Sequence, residues 1–170
     1  MGLPIAPGDG VSLLLSEEEA VRGMAKSKAF VDNYLPALLG QAWQLLSTQF
    51  HAVVEAHGLS VLEWRVLSIL ASNGGMSISA LADAAVSKQP TVTRLLLRLE
   101  AQGHVERTTS QDDRRYTLVR VTRNGRRLVS GLIELAEQHE REVLASMNPQ
   151  KVEMLKELLQ EIITRYRPQR

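Results

Sequence analysis

The sequence contains no cysteine among its 170 residues. This absence excludes disulfide bonds, thiolate nucleophiles, zinc–thiolate sites and cysteine-based oxidation sensing. No run of about 18 apolar residues occurs, so we expect no membrane-spanning helix. The N-terminus also lacks the basic start and long apolar segment of a secretion signal. We therefore expect a cytoplasmic protein.

Sequence motifs of the common enzyme classes are missing as well. The chain has no glycine-rich phosphate loop, no HExxH and no nucleophile elbow, so we expect no enzyme and assign no catalytic residue. The histidines form no closely spaced pair with acids that suits zinc, and we assign no metal ligand. A metal-responsive regulator, with a site assembled only on folding, remains an alternative. The four histidines are His51, His57, His104 and His139.

Positive charge is concentrated in one segment. Residues 88–127 hold ten basic and four acidic residues, a local net charge of +6, whereas the remainder has ten basic and fifteen acidic residues, or −5. A basic block on an otherwise acidic chain is typical of a surface that binds a polyanion. A solvated arginine-rich surface would give the same count.

Apolar residues recur with helical spacing over most of the chain. The pattern predicts four segments: an N-terminal extension with a short helix (1–27), a long dimerisation helix (28–57), a compact lobe (58–122) and C-terminal dimerisation helices (123–170). Pro36 indicates a kink or a late start in the long helix. The apolar stripes of the outer helices exceed what one small lobe can cover. We therefore expect a homodimer.

Two short helices within the lobe, at about 78–84 and 88–102, are joined by only a few residues. This is the spacing of a helix-turn-helix. Ser87 is predicted to cap the second helix, and Pro90 fits its first turn. The N-terminal residues of such a helix reach base edges in the major groove of DNA. The predicted DNA contacts of this segment are Ser87, Lys88, Gln89, Thr91, Thr93, Arg94 and Arg98.

A β-ribbon is predicted directly after these helices, from strands at 105–109 and 116–121. The polar run 110–114 joins the strands, so the ribbon has a charged tip. Arg114 and Arg115 at this tip are predicted to contact DNA, and an arginine there can enter a narrow minor groove. Asp113 is close enough to orient Arg115 by a charge-assisted hydrogen bond.

These motifs occur together in one known family. The segments "TVTRLLLRLEAQGHVER", "DDRR" and "VRVTRNG" follow one another in order, and the run from Leu59 to Gly125 closely resembles the multiple antibiotic resistance regulator (MarR) family. The resemblance implies a mainly α fold with a small β-ribbon, a winged helix-turn-helix carried on a dimer of long helices. It further implies double-stranded DNA with a pseudo-palindromic operator as the partner, and usually repression. Asp113 and Arg115 fall at the family's wing positions. A winged helix that binds only protein is the alternative.

Members of this family often release DNA when a small molecule binds between the dimer arms and the DNA-binding lobe. Aromatic surfaces and one cation would suit an aromatic acid or an acyl thioester, and no other cofactor is expected. The alternative is that both tryptophans are core residues and that His51 is an ordinary helix residue. The candidate ligand contacts on the two helices are Trp43, Ser47, His51, Trp64 and Arg65.

Overall fold

The computed structural model describes residues 30–109 and 117–167. These residues fall into two compact units divided between Leu45 and Leu46. In chain order the elements are α1 (Phe30–Asn33), α2 (Leu35–Ala56), α3 (Val61–Ser72), β1 (Met76–Ser77), α4 (Ile78–Ala84), α5 (Gln89–Ala101), β2 (Val105–Thr109), β3 (Thr117–Val121), α6 (Arg123–Leu144) and α7 (Pro149–Tyr166).

The described part of the first unit contains α1 and the start of α2. Tyr34 interrupts the long helix predicted over 28–57, and its ring stacks on Phe30 with 4.7 Å between the centroids. Helix α2 then begins at Leu35, with Pro36 in its first turn, where a missing N–H leaves no hydrogen bond unmade. Of the two expectations for this proline, the late start is confirmed. The short helix expected within residues 1–27 lies outside the described residues.

One aliphatic core holds the second unit together. The end of α2, helices α3 to α6 and the sheet all contribute to it. Helix α5 contributes Val92, Leu95, Leu96 and Leu99 to this core. The side chains below 2% exposure are Val54, Val66, Leu67, Leu70, Leu81, Val92, Leu96, Leu99, Val119, Val129 and Leu132.

Side-chain caps start four of the described helices. Ser60 and Glu63 form a reciprocal capping box at the start of α3. The side chains of Ser77, Thr122 and Asn148 accept backbone hydrogen bonds at the starts of α4, α6 and α7.

The prediction that Ser87 caps α5 is wrong. Lys88 is the N-cap, makes no side-chain cap bond, and the helix begins at Gln89. The physical reason is that Ser87 belongs to the end of the preceding helix, because its backbone N–H donates to the carbonyl of Ala82 at 3.0 Å. Pro90 lies in the first turn of α5, as expected.

A three-stranded antiparallel sheet of order β1-β3-β2 lies beside these helices. Val105 pairs with Val121 and Thr109 with Thr117, so the predicted ribbon is confirmed within the described residues. Strand β1 was not predicted, because a strand of two residues has no periodicity to detect.

Residues of the C-terminal helices α6 and α7 are much less buried than those of the lobe. Within α6, Val129 and Leu132 are buried, whereas no residue of α7 is buried. Leu155 and Leu158 on α7 are among its exposed large apolar residues. In the described part of the chain, no helix is both long enough and apolar enough to cross a bilayer.

Candidate nucleic-acid interface

The turn between α4 and α5 positions the candidate DNA-reading helix. Helix α4 ends in a Schellman motif, in which two backbone N–H groups fold back onto carbonyls of the last turn. Ser87 donates to Ala82 at 3.0 Å, and Val86 donates to Asp83 at 3.1 Å. Val86 has a φ of +50°, which reverses the chain. Two helices joined in this way form the helix-turn-helix expected from the sequence.

Helix α5 is divided sharply into a buried and an exposed side. Val92 and Leu99 are among the residues packed into the core. The predicted contacts Lys88, Gln89, Thr91 and Arg94 are exposed, whereas Ser87 and Thr93 are half-buried. The Thr93 hydroxyl donates to the Gln89 carbonyl at 2.9 Å, so this hydroxyl is engaged within the helix.

Arg98, the last predicted contact on α5, binds another helix. Its Nη2 donates to Oε1 of Glu63 on α3 at 2.8 Å. The Glu63 side chain is only 11% exposed, whereas that of Arg98 is 58% exposed. Burial by itself raises the pKa of Glu63. Hydrogen bonds from the Ser60 backbone and hydroxyl, together with Arg98, outweigh burial and hold this pKa below its ordinary value.

The wing is attached to the far end of α5 by a second ion pair. Arg107 on β2 places its Nε 3.2 Å from Oε2 of Glu100, in the last turn of α5. This pair joins the base of the ribbon to the helix that precedes it. The predicted tip residues Asp113, Arg114 and Arg115 lie outside the described residues. Sequence reasoning missed the cross-element roles of Glu63, Glu100 and Arg107, because no local spacing reveals them.

Comparison with known proteins identifies the family. The MarR family model matches residues 57–115. The homoprotocatechuate degradative operon repressor of Escherichia coli is 31% identical over 132 residues, which cover 78% of this chain and 88% of the repressor. The transcriptional regulator FarR of Neisseria gonorrhoeae is 30% identical over 122 residues, 72% of this chain and 84% of FarR. This chain belongs to the MarR family.

Solved MarR structures share the fold. NadR in complex with 4-hydroxyphenylacetate superposes with a TM-score of 0.71 at 29% identity, over 81% of this chain and 95% of NadR. The expected fold class is thereby confirmed: this MarR protein is a winged helix-turn-helix transcription regulator, mainly α with a small β-ribbon.

An aromatic cluster lies beside the lobe of this MarR protein. The Trp64 ring meets Phe50 edge-on at a centroid distance of 5.4 Å, and Phe50 stacks on His139 at 5.9 Å. His139 Nε2 donates to the Leu46 carbonyl at 3.1 Å. The cluster therefore joins the end of α2 to α3 and α6. His139 was not among the predicted ligand contacts, because it lies far along the chain from Phe50 and no sequence pattern indicates that the two rings are in contact.

The other predicted ligand contacts differ in their surroundings. Arg65 Nη1 donates to the Ala85 carbonyl at 2.9 Å, so its guanidinium lies at the turn of the helix-turn-helix. Ser47 and His51 are half-buried. Trp43 belongs to the first unit and is 52% exposed.

The structure offers no support for the metal-responsive alternative within residues 30–109 and 117–167. No group of three or more histidine, aspartate or glutamate side chains there is arranged to hold a metal ion.

Proposed function

We propose that this MarR protein is a cytoplasmic repressor that binds a pseudo-palindromic operator as a homodimer. A small aromatic acid or its thioester releases it from the DNA. The observation that carries the proposal is the exposed polar start of α5, opposite a fully apolar buried side, in the segment where positive charge is concentrated. A helix with this division can enter the major groove while its other side packs on the lobe.

The proposed DNA contacts follow from side-chain chemistry. Arg94 and Lys88 suit guanine, Gln89 suits adenine, and the methyl of Thr91 or Thr93 suits that of thymine. Ser87 and Arg98 lie at the edges of this surface and are assigned to the phosphate backbone.

The wing forms the second part of the proposed interface. Arg114 contacts phosphate and Arg115 enters the minor groove, oriented by Asp113. Arg115→Ala should weaken binding. Asp113→Ala should also weaken it, although simple electrostatics predicts the opposite. Tighter binding by the Asp113→Ala protein would reject the orienting role and leave a generic basic wing.

Homodimer formation is supported by apolar surface that is exposed to solvent in a single chain. Six large apolar side chains of α7 are exposed in the single chain, namely those of Met154, Leu155, Leu158, Ile162, Ile163 and Tyr166. Exposed apolar residues that lie together on one helix indicate an interaction surface. Association of identical chains is the commonest way to bury such a surface. The proposal assigns α2, α6 and α7 to dimerisation.

Effector release is supported by NadR and by the position of Arg65. The ligand in the NadR complex, 4-hydroxyphenylacetate, is an aromatic carboxylate. A carboxylate bound by Arg65 would compete with the Ala85 carbonyl for the same guanidinium, because charged acceptors bind it more strongly than neutral ones. Trp43, Ser47, His51 and Trp64 are the other proposed ligand contacts.

A ligand titration tests the effector part of the proposal. Fluorescence anisotropy of a labelled operator duplex would be followed as 4-hydroxyphenylacetate is added, with phenylethanol, which lacks the carboxylate, as the matched control. We expect the acid to release the DNA and Arg65→Ala or Trp43→Ala to abolish its effect. An unchanged response in both variants would locate the effector site elsewhere.

A further inference from the structure

The same backbone motif ends three helices of this chain. At the end of α2, Leu59 N–H donates to the Val54 carbonyl and Gly58 has a φ of +78°. At the end of α5, His104 N–H donates to the Leu99 carbonyl at 2.8 Å. Gly103 there has a φ of +72°. Both are Schellman motifs with glycine in the left-handed conformation, as this motif favours.

The third motif, at the end of α4, has valine where the other two have glycine. Val86 lies at φ +50°, a region that a β-branched side chain adopts only under strain. Its side chain is 83% exposed, so burial does not offset the strain. Another interaction must therefore stabilise this turn in its left-handed conformation.

A side chain from another helix binds this turn. Arg65, on α3, donates from Nη1 to the carbonyl of Ala85 at 2.9 Å. Ala85 is the C-cap of α4, is completely buried and directly precedes Val86. The bond therefore fixes the peptide that joins Ala85 to the strained residue. It also ties the turn to a helix of the lobe core.

We propose that Arg65 is a positioning residue for DNA binding, which closes the helix-turn-helix by holding Val86 in its left-handed conformation. The proposal rests on the DNA-binding role of α5. Lys88, the N-cap of α5, follows Val86 by two residues, so a change of φ at Val86 redirects the whole exposed start of the helix. Arg65 acts without touching the DNA.

A double-mutant cycle without any effector tests the proposal. Operator affinity of the full chain is measured for wild type, Arg65→Ala, Val86→Gly and the double variant. Arg65→Ala should weaken binding about ten-fold, the effect of losing one hydrogen bond from a charged donor. Because glycine adopts the left-handed conformation without strain, the same change in the Val86→Gly background should cost less than about three-fold.

Two further readouts separate positioning from other roles. Arg65→Ala should leave the dependence of affinity on salt unchanged, since no phosphate contact is lost. Val86→Gly should raise the unfolding temperature more in the Arg65→Ala protein than in wild type. Val86→Asn is a second variant that tolerates this conformation and retains a side chain.

Arg126 provides the matched control, because its Nη1 donates to the Ala71 carbonyl at 2.7 Å, at the end of a different helix. Arg126→Ala removes the same charge and the same kind of bond, and Val86→Gly should not rescue it. An Arg65→Ala loss that is absent, or equal in both Val86 backgrounds, would overturn the proposal. Failure of wild type to bind any DNA would instead reject the proposed function.

Discussion

Glu63 on α3 and Arg98 on α5, the second helix of the helix-turn-helix, form an ion pair with 2.8 Å between Glu63 Oε1 and Arg98 Nη2. The same carboxylate accepts the backbone N–H and the hydroxyl of Ser60 through its other oxygen, at 2.8 and 2.7 Å. This one buried carboxylate therefore caps the first turn of α3 and binds the last turn of α5. Loss of its charge affects both helices at once.

Replacement of Glu63 by glutamine should lower the free energy of unfolding by about 1 kcal/mol, the size of a lost cap with a partly exposed ion pair. Glutamine keeps the shape and one acceptor but loses the charge. Urea denaturation measures the change. Glu161→Gln is the control, because its pair with Arg165 on α7 is exposed on both sides, and it should cost under about 0.5 kcal/mol.

The pH dependence of the Glu63 contribution follows from its pKa, which folding lowers. The folded protein then holds this carboxylate ionised at pH values where the unfolded chain is already protonated. Its contribution to stability is complete above the ordinary glutamate pKa of about 4.3 and is lost as the pH falls through the lower folded value. The stability difference between wild type and Glu63→Gln should therefore shrink in that acidic window. A difference that stays constant down to pH 3 would contradict this assignment.

Arg94 and Arg98 should respond differently to truncation, although both are arginines on α5. Arg94 is exposed, and Arg94→Ala should cost about 1–3 kcal/mol at the operator and relax the preference at particular bases. Gln89→Ala should behave in the same way. Arg98→Ala should reduce stability, because it leaves Glu63 without its cation, and should weaken binding to operator and random DNA alike, because the proposed phosphate contact is lost. Binding measured on operator and random duplexes distinguishes these outcomes, and an even loss on both by Arg94→Ala would assign that residue to phosphate only.

Gly125 in the first turn of α6 cannot accept a side chain. A Cβ there would collide with the carbonyl of His104, which already accepts the Thr122 N–H at 3.0 Å. Gly125→Ala should destabilise the protein by about 1–3 kcal/mol, since backbone must move. Gly131 lies in the same helix with nothing within 4 Å of the position its Cβ would take, so Gly131→Ala should stabilise by about 0.5–1 kcal/mol. Thermal unfolding of the two variants measures both effects. Equal changes in the unfolding temperature would contradict the steric role of Gly125.

The proposed homodimer should depend on the apolar surface of α7. Leu155→Glu combined with Leu159→Glu places two charges on this surface and should give monomers, because an unpaired charge is costly to bury. Gln160→Glu adds a charge at an exposed polar position of the same helix and should leave the dimer intact. Sedimentation velocity at micromolar concentration measures both. A stable monomer of the wild-type chain would reject the dimer.

Local signals predicted most of the fold. The spacing of the helix-turn-helix and the late helix start at Pro36 each depend on residues a few positions apart, so both could be predicted directly from the sequence. Ser87 was misassigned because two helix ends compete for the same short turn, and only the backbone bond to Ala82 decides between them. The contacts of Arg65 with Ala85 and of His139 with Phe50 join residues 20 and 89 positions apart. The sequence shows the chemical type of each of these side chains, but it does not show which distant residue each one contacts.

Selection of bound duplexes from a random DNA pool by the full chain tests the central claim most directly. One pseudo-palindrome should be enriched. Its half-sites should lie about one helical turn apart, as expected for a dimer that presents two copies of α5. Affinity for the selected duplex should exceed that for a scrambled duplex by at least about 1,000-fold at physiological salt. Recovery of unrelated sequences with equal affinity for both duplexes would contradict a sequence-specific regulator.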